Sequence, residues 1–213
     1  MPIIDCFEQN VNQYEEWFEQ NRFAYESELD AIRKLIPKGG KGLEVGVGTG
    51  RFAAPLGIKV GVDPSRAMSE LAMHRVIDVY PNPGERLPFK NNSFSFVLFV
   101  TTICYLDDLR VAFKEAFRVL KPGGGIIIGF INRDSPLGKS YEAQKQINVF
   151  YRYAKFFSVE DVYLHLKRTG FHDFYFLQTI FQHPEEMKEP DPVKPGYGEG
   201  AFIVIKGIKP IRQ

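Results

Sequence analysis

At 213 residues the chain is long enough to bury a sizeable core, and 44% hydrophobic with 25% charged residues is a globular balance that excludes a disordered or fibrous chain. Lysine plus arginine (27) nearly cancels aspartate plus glutamate (26), so the electrostatic footprint of a nucleic-acid binder is missing and a neutral small molecule is the better-fitting partner. Cys6 and Cys104 lack CxxC or Cys/His spacing, the first ten residues lack a leader pattern, and no segment approaches the roughly 20 apolar residues of a membrane span, so neither metal, disulfide, secretion nor membrane is expected and the cytoplasm is the natural compartment.

Residues 5–36 read as two helices, since Phe7, Val11, Tyr14, Trp17 and Phe18, and then Leu29, Ile32, Leu35 and Ile36, recur at three- and four-residue steps up to Pro37, Gly39 and Gly40. Leu43, Val45 and Val47 form a strand that runs into Gly46, Gly48 and Gly50, with Arg51 to Leu56 beginning a helix. Ile58 to Val62 is a second strand, closed by Asp63 and Pro64 and followed by a helix over Ser65 to His74 with Ser65 near its start. Val76 to Tyr80 and Phe94 to Val100 are the third and fourth strands, the latter apolar enough for burial on both faces. A helix over Asp107 to Leu120 ends at Lys-Pro-Gly-Gly, and Gly125 to Phe130 is the fifth strand. After a polar and aromatic insert, 131–157, come a helix capped by Ser158 and ended by Gly170, and two last strands over Phe171 to Phe181 and Gly200 to Gly207. The Pro-rich connection between those strands is too long for a tight hairpin and is expected to run over the surface near the site. Strands alternating with helices predict an α/β fold, a mainly parallel sheet with helices on both faces, in one domain over 1–213: a helical cap (1–37), a ligand-binding half (38–130) and a C-terminal part (131–213).

The sharpest chemical signal is LEVGVGTGRF, Leu43 to Phe52, where glycines at 46, 48 and 50 let the backbone turn tightly and lie against a ligand. Asp63 ends the next strand, where its carboxylate could accept ribose hydroxyls or cap the following helix. The dinucleotide fingerprint G-x-G-x-x-G fails at Arg51, and Glu44, two residues before the first glycine, is unfavourable beside a pyrophosphate but suits a ligand bearing an ammonium group. A nicotinamide-dependent oxidoreductase is therefore disfavoured.

At LEVGVGTG the chain resembles the class I S-adenosylmethionine-dependent methyltransferases, whose first motif is an apolar strand with an acid followed by GxGxG. ERLPFKNNSFSFVLF (85–99), VTTICYLDD (100–108) and EAFRVLKPGGGIIIGF (115–130) continue the likeness over roughly residues 40–130, and FFSVEDVYLHLKRTGF (156–171) extends it. The resemblance implies a doubly wound, Rossmann-like sheet of seven strands with the last antiparallel, S-adenosyl-L-methionine as cofactor, Glu44 at its methionine ammonium, the backbone of Gly46, Gly48 and Gly50 along it, and Asp63 at its ribose. Where relatives commonly carry an acid, a small residue and Glu before LPF, this chain has Pro83, Gly84 and Glu85, which transfers adenine contact to backbone groups at Gly84 and Glu85.

Methyl transfer from a sulfonium is an in-line displacement that alignment in a dry site accelerates, so no triad or metal is required. The exit of the fourth strand lies beside the reacting methyl by the rule for open parallel sheets, which makes Thr101 the candidate for a backbone contact. Tyr105 either orients an acceptor through its hydroxyl or packs, Cys104 reads as a packed small residue, and His183 is first of four histidines as a candidate base. Tyr14 and Trp17 in the cap and Tyr197 in GYGEG are candidates for contact with the acceptor, with Tyr141, Phe150, Tyr151 and Tyr153 as further wall residues; docking of the helices on the sheet is the alternative for the cap aromatics. Methyl transfer to a small-molecule acceptor is the expected function, against a non-catalytic protein that binds the cofactor, which a closed cap with no cavity next to Thr101 and Tyr105 would favour.

Overall fold

The computed structural model describes residues 2–211, with side chains from residue 4 onward. One sheet takes every strand, in the order β3-β2-β1-β4-β5-β8-β6-β7. Strands β1 (Gly42–Val45), β2 (Val60–Val62), β3 (Asp78–Tyr80), β4 (Phe94–Val100) and β5 (Leu120–Ile131) are mutually parallel, and β8 (Phe202–Ile208) runs antiparallel between β5 and β6 (His172–Thr179). The seven expected strands are present; the eighth, β7, is the two residues Lys194–Pro195 on the edge of β6, formed where the long Pro-rich connection passes that strand.

The insert after β5 carries a short helix, α6 (Pro136–Ala143), and two apolar layers hold the sheet. β4 serves both: Phe94, Val97 and Phe99 pack on one face with Phe113 and Ala116 of α5 (Leu109–Val119) and Val162 and Leu166 of α7 (Val159–Thr169), while Phe96, Leu98 and Val100 pack on the other with Ala31 and Ile32 of α3 (Arg22–Leu35). Phe94, Phe99 and Phe113 are wholly buried, and each such ring contributes roughly 2–3 kcal/mol. Among the described residues no helix is long and apolar enough to cross a membrane.

The cap differs from expectation in number. Three helices, α1 (Pro2–Gln9), α2 (Val11–Gln20) and α3, replace two, because Asn10 and Asn21 each turn their side-chain amide back onto a carbonyl four residues earlier, Cys6 and Trp17, and break the helix without disturbing its apolar spacing. The helix expected from Arg51 is absent too: residues 51–57 are a run of turns, closed by Ile58 N–H donating to the Ala53 carbonyl. Strand β5 begins at Leu120, so Lys-Pro-Gly-Gly forms an irregularity inside the strand, opposite Phe94 to Phe96 of β4.

Other boundaries are local and hold. Ser65 caps α4 (Arg66–His74) through Met68 N–H, Asp108 caps α5, and Ser158 forms a capping box with Asp161 at the start of α7. Ser158→Ala is expected to cost about 1 kcal/mol, a melting temperature lower by about 2–4 °C for a chain of this size; an unchanged melt would mean that the Asp161 half of the box suffices.

Candidate functional site

A cleft of about 450 Å³ opens over the carboxyl ends of β1, β2 and β4, between the sheet and the cap. Gly46, Gly48, Asp63, Gly84, Glu85 and Thr101 all lie on its wall. Gly46 and Gly48 have φ of +69° and +52°, the left-handed region that a turning loop needs. A Cβ at Gly46 would stand 2.3 Å from the Thr102 methyl, whereas one at Gly48 would project toward the Tyr14 hydroxyl at 3.3 Å, into the cleft. Gly50 does not line the cleft: its Cα faces Ile77 and Ala72, so it fits the loop against α4.

Asp63 fastens this corner. Its two oxygens accept the N–H groups of Gly48 and Ser65, each at 2.8 Å, and burial pushes its carboxyl up to about 6, with those two donors pulling the other way and the Glu8 carboxylate adding to the rise. Both readings of Asp63, acceptor for ribose hydroxyls and cap at the start of α4, are therefore compatible with its position. Glu85 turns its carboxylate away, onto the N–H groups of Asp107 and Asp108 ahead of α5, which leaves its backbone on the cleft.

Glu44 of β1 is buried and is not among the residues that line the cleft. Burial drives its carboxyl well above the usual range, the Ala53 N–H opposing and Asp63 reinforcing, and its Oε2 is the one buried side-chain oxygen or nitrogen without a partner among the described residues.

Beside β4, Thr101 sits at φ +49°, a strained conformation for a β-branched residue, with its carbonyl accepting the Cys104 thiol at 3.1 Å. Burial pushes that thiol up to about 12, so Cys104 stays neutral and packs. Tyr105 is inside the cleft, packed edge-on against Phe7 at 5.0 Å, and its hydroxyl is held neutral by burial.

The cap is locked onto the loop by charge. Glu15 of α2 accepts the Thr49 hydroxyl at 2.5 Å and pairs with Arg51 and Arg75, both at 2.7 Å; although its burial acts to raise the carboxyl, the bonds from Arg51, Thr49 and Arg75 hold it below the ordinary value. Arg51 thus fills the place of a third dinucleotide glycine with a cap anchor, and the Tyr25 hydroxyl donates to its carbonyl. Tyr14 and Trp17 line the cleft, as do Tyr141, Phe150 and Tyr151 of the insert, with Tyr141 and Tyr151 stacked at 4.4 Å. Tyr153 is exposed.

Two candidates fall outside. His183 stands at a surface turn 4.0 Å from Glu185, and Tyr197 is 54% exposed against Phe176, because the connection that carries both is drawn to the far edge of the sheet by β7. No residue of that connection lines the cleft. Sequence reasoning also missed Glu28, a buried acid of α3 on the cleft wall, because a glutamate in a charged amphipathic helix reads as solvent-facing.

The methyltransferase domain family matches residues 43–128. An S-adenosylmethionine-dependent methyltransferase of Thermotoga maritima, described as a possible histamine N-methyltransferase, is 52% identical over 96% of this chain and 99% of its own, with a TM-score of 0.94. An uncharacterized protein of Methanocaldococcus jannaschii is 45% identical over 97% of this chain and all of its own length. Demethylmenaquinone methyltransferase of Staphylococcus aureus is 33% identical over 43% of each chain.

Proposed function

The chain belongs to the S-adenosylmethionine-dependent methyltransferases, and from that premise we propose that the cleft over β1 and β4 holds the cofactor and a small-molecule methyl acceptor together. Methyl transfer is its reaction and S-adenosyl-L-methionine its cofactor. The observation that carries the small acceptor is the closure of the cleft: the cap and the insert roof it with Tyr14, Trp17, Tyr141 and Tyr151, leaving about 450 Å³. A cavity bordered by both Thr101 and Tyr105 also weighs against a protein that only binds the cofactor.

Two observations fit the cofactor to these residues. The backbone at Gly46 and Gly48 forms a cradle that a Cβ at Gly48 would obstruct, and Glu44, on the strand that leads into that loop, has an orphan Oε2, a buried acceptor suited to a cationic group. When bound, the cofactor supplies an electrophilic methyl on a sulfonium. In this reading Asp63 accepts from ribose hydroxyls with the lone pairs its two N–H donors leave free, Gly84 and the Glu85 backbone border the adenine, and the strained Thr101 backbone faces the methionine part. Tyr105, kept neutral, hydrogen-bonds the acceptor, and the aromatic roof excludes water so that alignment accounts for the acceleration.

Methyl-labelled cofactor incubated with the protein and a cell extract split by dialysis tests the acceptor class. Label in the dialysable fraction is expected; label confined to retained protein or RNA would overturn the small-molecule reading.

A further inference from the structure

Glu28 is a buried acid that, unlike Glu44, stands on the wall of the cleft. Its residue is 4% exposed, it lines the cleft, and among the described residues no hydrogen bond or ion pair reaches its carboxylate. Asp63, by contrast, has two backbone donors and Glu15 has three side-chain partners. Its neighbour Ser27 already ties α3 to the C-terminal connection, through Asp191 N–H at 2.8 Å, so Glu28 is not needed for that contact. Burial alone, with no compensating group, pushes the Glu28 carboxyl up to about 8. A buried acid in this condition is costly unless something that enters the cleft pairs with it.

The surroundings specify what can pair. Glu28 is close enough to Tyr14, Tyr141 and Tyr151 for its charge to act on their hydroxyls, and Trp17 and Phe156 line the same cleft. Aromatic faces attract cations, and a desolvated carboxylate adds a charge-assisted hydrogen bond. No lysine, arginine or histidine is among the described residues that line the cleft, whereas Glu16, Glu28, Asp63, Glu85 and Asp107 all do. An anionic acceptor would meet no counter-charge on that lining, whereas a cation meets Glu28, the Glu85 carboxylate being turned onto the Asp107 and Asp108 N–H groups and that of Asp63 onto those of Gly48 and Ser65.

We propose that the methyl acceptor is a small basic amine, which enters as its ammonium form and is held by Glu28 inside the aromatic roof. This rests on the methyl-transfer reading of the cleft and adds the acceptor's chemical class and the residue that recognises it. The ammonium binds in place of the missing partner, and the tyrosine and tryptophan rings enclose its hydrocarbon part.

The test uses the full chain saturated with S-adenosylhomocysteine and titrated with 2-phenylethylamine, 2-(4-hydroxyphenyl)ethylamine and hexylamine, each beside the alcohol of the same skeleton. At least one amine is expected to bind about tenfold or more tightly than its alcohol. Glu28→Gln, which keeps the shape and removes the charge, is expected to weaken that amine about tenfold to thirtyfold while the affinity for S-adenosylhomocysteine and the melting temperature hold. Glu28→Asp keeps the preference for amine over alcohol, which separates recognition by charge from damage to packing. Equal binding of alcohols and amines, binding of no amine by a protein that binds S-adenosylhomocysteine, or an amine affinity indifferent to Glu28→Gln would each overturn the proposal. Failure of the unaltered protein to bind S-adenosylhomocysteine would instead overturn the cofactor-cleft reading beneath it.

Discussion

Gly48→Val is expected to abolish measurable binding of S-adenosylhomocysteine, a loss of about 3 kcal/mol or more, in a protein that still folds. At φ +52° a side chain is strained by about 1–2 kcal/mol, and the atoms nearest the added Cβ are those of the Tyr14 side chain. The branched side chain therefore occupies ligand space without displacing backbone. Gly46 provides the contrast: its Cβ would lie within 2.3–2.9 Å of three Thr102 atoms, so Gly46→Ala should lower the melting temperature as well as the affinity. Titration calorimetry with a thermal melt separates the two positions. Binding by Gly48→Val at the level of the unaltered protein would remove the loop from the cofactor site.

Asp63→Ala is expected to lower the affinity for S-adenosylhomocysteine by about 2–3 kcal/mol, since it removes acceptors for ribose and lets the loop relax where Gly48 N–H and Ser65 N–H lose their partner. The same carboxyl sets a pH dependence. Its value rises from 3.8 to about 6 on folding, so the folded chain binds this proton more tightly than the unfolded chain does. The Asp63 contribution to stability therefore declines as pH rises through the window from about 4 to about 6, and levels off above it. Ligand affinity follows the opposite course, because the ionised carboxylate is the form that accepts from hydroxyls: it should weaken as pH falls through about 6, and Asp63→Asn should flatten that step. A folded Asp63→Ala protein with unchanged affinity would reduce Asp63 to a cap on α4.

What the sequence made legible is what local physics controls. β4 was readable to its ends because six of its seven residues are apolar and buried, Ser95 alone being polar, and α7 because Ser158, Asp161 and Gly170 mark its ends within the chain itself. The meeting of the glycine loop with Asp63 was readable because a turn with positive φ at the end of one strand and a carboxylate at the end of the next fall side by side in a parallel sheet. The third cap helix was not, since Asn10 and Asn21 interrupt hydrogen bonding while leaving the three- and four-residue apolar spacing intact. Nor was the fate of Arg51 to Leu56, where Arg51 is committed to Glu15 and Glu19 across the cap and the segment turns instead of winding on. Glu28 and the outward position of Tyr197 and His183 depend on which distant segments cover which, information carried by packing and by the β6–β7 pairing and absent from any short window of residues.

The most direct test is a crystal structure of the complex with S-adenosylhomocysteine. The ligand is predicted to lie along Gly46 and Gly48, with its ribose hydroxyls on the Asp63 carboxylate and its sulfur facing the space between Thr101, Tyr105 and the aromatic roof. A ligand bound elsewhere, or one in this cleft whose ribose makes no bond to Asp63, would contradict the account.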